Sequence, residues 1–124
     1  SATDALKKTH LDGILNEDQT EAISYIDDRL RPKGVTFSLR TAQSLKACLG
    51  LSEKLGLSTW DAIDFVLDQQ MLVKVHLFAH DQGDRKLLED LKSWFDDHAE
   101  LWRSGQKVEG WERQLDADRD VNQA

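Results

Sequence analysis

Gly34-Val35-Thr36-Phe37-Ser38-Leu39-Arg40 is the stretch on which the fold turns. It is the longest run in the chain that alternates apolar and polar residues with period two. Val35, Phe37 and Leu39 fall on one side, and Thr36, Ser38 and Arg40 on the other. That is the pattern of a half-buried β-strand. Nearly everything around it has helical periodicity. A lone strand needs a partner for its N–H and C=O groups. Two are on offer: Val73-Lys-Val-His-Leu77, which alternates within a more apolar run, and the same strand of a second copy. If Val73–Leu77 is helical, the pairing falls to the second copy. The expected fold is therefore mainly α, five to six helices with one short β-strand (34–40) that pairs across a homodimer.

Outward from that strand the helices follow from caps and stripes. Thr3 to Leu15 forms an amphipathic helix with Leu6, Leu11, Ile14 and Leu15 inward. Asn16 is an N-cap for a second helix, with Glu17 and Asp18 where the dipole favours acids. Pro32 and Gly34 end that helix. A third runs from about Thr41 to Leu55, with Gly56 as its C′ residue. Ser58 caps a fourth, and Asp61 three residues later completes a variant of the capping box. Ala62, Ile63, Val66, Leu67 and Met71 face its core. Asp84 caps a fifth, reading to Ser104-Gly105, with Leu87, Leu88, Leu91, Trp94, Phe95, His98, Leu101 and Trp102 in one stripe. Lys107 to about Ala117 is a last short helix.

The 124 residues suit one domain, with N-terminal helices over 1–31, a strand-helix-helix core over 33–72 and acidic, Trp-bearing helices over 84–117. No apolar run approaches the roughly 18 residues of a membrane span, so no membrane contact is expected. The single Cys48 excludes an internal disulfide and fits a cytoplasmic protein. Beside Leu45 and Leu49 it reads as a small core residue.

The net charge of −7 argues against a surface that coats nucleic acid all over. The charge is uneven, however. Arg29, Arg31, Lys33, Arg40 and Lys46 lie between residues 29 and 50, where there is no acid at all. Such a patch can hold one target locally, or it can simply reflect a strand and an apolar helix with few places for acids.

Thr36-Phe-Ser-Leu-Arg40, a helix, the turn Gly56-Leu-Ser58 and a second helix together resemble the ribbon-helix-helix (MetJ/Arc-type) DNA-binding superfamily, over about residues 33–71. The resemblance implies a two-stranded intersubunit ribbon in the major groove of double-stranded DNA. Thr36, Ser38 and Arg40 would then read base edges, Arg40 through guanine O6 and N7. Ser58 and Thr59 would hold a phosphate on free helix N–H groups. Arg29, Arg31 and Lys33 would add phosphate contacts.

Other constellations carry less. His76 and His80 have the i, i+4 spacing of zinc ligands, but no Cys and no His-Glu motif accompanies them, so no metal is expected. Trp94, Trp102 and Trp111 read either as packing bulk or as anchors for a protein partner. Asp27-Asp28 and Asp96-Asp97 are adjacent helix residues that point apart. No phosphate loop, nucleophile elbow or Ser/His/Asp arrangement is present. The expectation is a non-enzymatic, cofactor-free, sequence-specific DNA-binding homodimer, such as a small repressor or plasmid or phage accessory factor. The alternative is an acidic helical adaptor or inhibitor that binds another protein and not DNA.

Overall fold

The computed structural model describes the backbone of residues 1–123 and the side chains of residues 1–119. Six α-helices make up most of it: α1 Ala2–Lys8, α2 Glu17–Leu30, α3 Leu39–Leu55, α4 Thr59–Val66, α5 Gln82–Asp96 and α6 Trp102–Gln123. The chain divides into two compact units, Ser1–Val75 and His76–Ala124. Among the described residues no helix is long and apolar enough to cross a membrane.

In the first unit α1 packs on α2 and α3, and α3 packs along α4. The core takes Leu6 from α1, Ile23, Ile26 and Leu30 from α2, Ala42 and Leu45 from α3, and Ile63, Val66 and Leu67 from α4 and the turn after it. Burying each large aliphatic side chain favours folding by about 1.5–3 kcal/mol. Local chemistry fixes the ends. Asn16 and Gln19 form a reciprocal capping box at α2, and Ser58 and Asp61 form another at α4. At the end of α3, Gly56 adopts φ +71°, where a Cβ would be strained. Gly56 N–H then donates to Glu53 O and Leu57 N–H to Ser52 O, a Schellman closure. Lys46 on α3 donates to Thr9 O at the end of α1 (2.9 Å), placing a cation where that dipole is negative.

No described residue forms a β-strand, which overturns the strand expected over 34–40. Residues 35–38 lie outside any helix, and two of their donors are satisfied inside the first unit. Val35 N–H donates to Leu30 O (3.2 Å), and Phe37 N–H donates to the carboxylate of Asp27 (2.7 Å). Ser38 is the N-cap of α3, with φ −85° and ψ 173°, and its Oγ accepts from Thr41 N–H. A cap residue has β-region dihedrals, so a lead-in to a helix can alternate as a strand does. Val35 and Phe37 are buried as expected, but Leu39 is 43% exposed because it already belongs to the first helical turn. The second candidate strand fails too. Leu67–Met71 is a π turn, Leu72–Lys74 a 3-10 turn, and the chain after Lys74 pairs with nothing in a ladder. The intersubunit ribbon is thus absent, and the homodimer inferred from its pairing loses that basis.

The second unit is a helical hairpin of α5 and α6 joined through a short turn at Ala99–Leu101. Asp81, rather than Asp84, caps α5. Asp84 is buried and accepts Phe78 N–H (2.8 Å). The helix expected to continue to Ser104 stops at Asp96. There the ring of His98 stacks on Trp94 at 3.8 Å, and its Nδ1–H donates to Trp94 O (2.7 Å). The turn carries Trp102 off the buried stripe, and α6 starts at that residue. Gly105 lies inside α6, where an added Cβ would stand 3.6 Å from Phe95 Cβ.

Candidate functional site

Three of the residues expected to contact DNA line one cleft of about 300 Å³ in the first unit. Thr36 and Ser38 border it from the extended lead-in, and Arg31 from the turn after α2. Lys8 and Asp4 of α1 close the other side. At its base lies Asp27, whose side chain is almost wholly buried. Its Oδ1 accepts from Phe37 N–H, and its Oδ2 accepts from Ala2 N–H (3.3 Å) and from Arg31 Nη2. The guanidinium of Arg31 is half exposed and also lies 3.8 Å from Asp28. Arg31 therefore holds a structural carboxylate in place, and Ser38 uses its hydroxyl on the helix cap. Both are engaged within the fold.

The remaining residues of the expected interface do not gather there. Arg40 is exposed on the first turn of α3, and Lys33 is half-buried in the Arg31–Lys33 turn. Arg29 lies with its guanidinium 5.3 Å from the ring of Tyr25. Ser58 and Thr59 start α4, beyond the far end of α3. Seventeen residues of helix separate them from Ser38, roughly 25 Å at 1.5 Å per residue. Ser58 is occupied by its capping box.

That far end of α3 carries an apolar ridge instead. Leu51 and Leu55 stand one turn apart, and Leu57 follows the Schellman turn, a geometry that brings it back towards Leu51. They are 58%, 64% and 52% exposed. The sequence marked neither Leu51 nor Leu57, although their position beside a glycine stop was visible. Cys48 is half-buried a turn earlier, with Ser52 Oγ 4.0 Å from its sulfur.

In the second unit the three tryptophans part company. Trp94 is held by its stack on His98 and an edge contact with Phe95, and Trp111 is half-buried on α6. Trp102 is 60% exposed. It walls a cleft of about 200 Å³ with Phe95 and Ala99, and Lys92, Asp96, Gln106 and Glu109 form the rim. Lys92 Nζ donates to both carboxylate oxygens of Glu112, at 2.9 and 3.0 Å. The hydrogen bond to Glu112 and then the charge of Glu112 raise the Lys92 pKa above the ordinary 10.5. Desolvation opposes this, and the charges of Asp96 and Glu109 add to it. His76 and His80 are both exposed and His76 precedes α5 in extended chain, so the helical i, i+4 geometry of a zinc pair does not form. No group of His, Cys, Asp or Glu among the described residues is arranged to hold a metal ion.

Residues 2–119 match the family described as a domain of unknown function (DUF8727), and the chain belongs to that family. No curated protein and no solved structure matches it.

Proposed function

We propose that this member of the DUF8727 family is a non-catalytic, acidic helical module that binds another protein. The observation that carries the reading is the ridge of Leu51, Leu55 and Leu57 on the first unit, each more than half exposed. Covering such side chains is worth about 1.5–3 kcal/mol each, and grouped exposed apolar residues mark contact sites. A ridge at a capped helix end suits the apolar face of a partner helix, one of the common modes of protein recognition. The net charge of −7 and the use of Arg31 and Ser38 within the fold weigh against a nucleic-acid surface. The half-buried thiol of Cys48 suits a reducing cytoplasm.

The test is affinity capture with the wild-type chain and with the Leu51→Ser/Leu55→Ser double variant, both confirmed as helical by circular dichroism. A partner should co-purify with the wild type and be lost from the variant. The same proteins captured by both would overturn the reading. Sedimentation of the purified chain makes the remaining distinction: a wild-type dimer that the variant dissociates would replace the foreign partner with a second copy.

A further inference from the structure

We infer that the cleft between the end of α5 and the start of α6 receives an arginine side chain of the partner protein. This rests on the protein-binding reading, but on different residues. At about 200 Å³ the cleft is smaller than the usual 300–1,000 Å³ of small-molecule sites, and one long side chain suits it. Its walls match an arginine in order. Phe95 and Ala99 offer apolar surface to the aliphatic stem. Trp102 offers a flat ring, still 60% exposed, to a planar and weakly hydrated guanidinium. The chain's own Arg103 lies over the Trp102 ring with its guanidinium carbon 5.9 Å from the centroid, near the outer margin of such contacts, and leaves the residue 60% exposed.

Asp96 from α5 and Glu109 from α6 set the charge of the rim. Neither makes a hydrogen bond or close ion pair among the described residues. Lys92, the one cation on the rim, is held by both oxygens of Glu112. Asp96 and Glu109 also favour the protonated form of Lys92, after the larger effect of Glu112. Residues 76–124 hold twelve acidic against seven basic side chains, so a cationic partner is drawn in and an anionic one repelled.

The probe is a blocked Gly-Arg-Gly tripeptide, titrated into the full chain while the indole N–H resonance of Trp102 is followed by NMR. A blocked peptide with citrulline, the neutral isostere, runs beside it. The arginine peptide should give a saturable shift, with binding about tenfold or more weaker for citrulline and for the Asp96→Asn/Glu109→Gln variant. No shift, an equal response to citrulline, or undiminished binding by the double variant would each overturn the inference. Leu51 and Leu55 play no part in this titration. A failed titration beside successful capture therefore removes the cleft alone, and failed capture beside a saturable shift removes the ridge alone.

Discussion

Asp27 accepts hydrogen bonds from three parts of the first unit: Ala2 before it, Arg31 one turn on, and Phe37 in the extended lead-in. Replacing it with alanine leaves the Ala2 and Phe37 N–H groups buried without acceptors, at about 1–3 kcal/mol each. Arg31 is half exposed and turns to water, so its loss adds little. Chemical denaturation should therefore show Asp27→Ala destabilised by a few kcal/mol, and Asp27→Asn by less, since one carbonyl oxygen remains. A stability equal to wild type would show that the lead-in does not depend on this carboxylate. The same residue explains how the lead-in can alternate like a strand without pairing as one. Period-two burial at Val35 and Phe37 was legible, but the acceptor that replaces a partner strand lies ten residues back. Nothing in the spacing of Asp27 and Asp28 marks which of the two is buried. The side-chain roles moved accordingly: Ser38 serves a cap, and Arg31 a carboxylate.

At the level of elements, ends were easier to read than partners. Asn16, Gly56, Ser58 and Asp61 act where the sequence put them, because capping is decided within three or four residues. The stripe from Leu87 to Trp102 misled for the opposite reason. Its spacing is continuous, yet the His98 ring takes the Trp94 carbonyl and the helix stops at Asp96, so Trp102 emerges at the head of α6. Trp102 was singled out in the sequence as a partner anchor, and its exposure follows from that break. The two helices on either side are cross-linked by Lys92 and Glu112. Because the folded pKa of Lys92 is raised, its contribution to stability is complete below 10.5, the unfolded value, and is lost as pH rises through the folded value. As pH rises above 10.5, the melting temperature of the wild type should fall more than that of Glu112→Gln. Parallel declines would mean the pair contributes nothing.

For the molecule as a whole, the excess of acids governs encounters. The net charge of −7 sets a long-range repulsion against the approach of a DNA duplex. Fluorescence anisotropy of a labelled duplex at low ionic strength should show no binding. Binding that Arg40→Ala abolishes would return the basic stretch to a functional role. The shape of the fold also determines where the chain tolerates a change of length. The π turn at Leu67–Met71 holds one residue more than an α-helical ladder requires, and Gln69 within it faces solvent. Removing one residue there lets the turn close as an ordinary helix with Met71 and Leu72 still in phase. Removing one a turn earlier, in α4, shifts the phase of the buried side chains between the deletion and the π turn by about 100°. In other members of the family, insertions and deletions along this helix should therefore collect at the two glutamines.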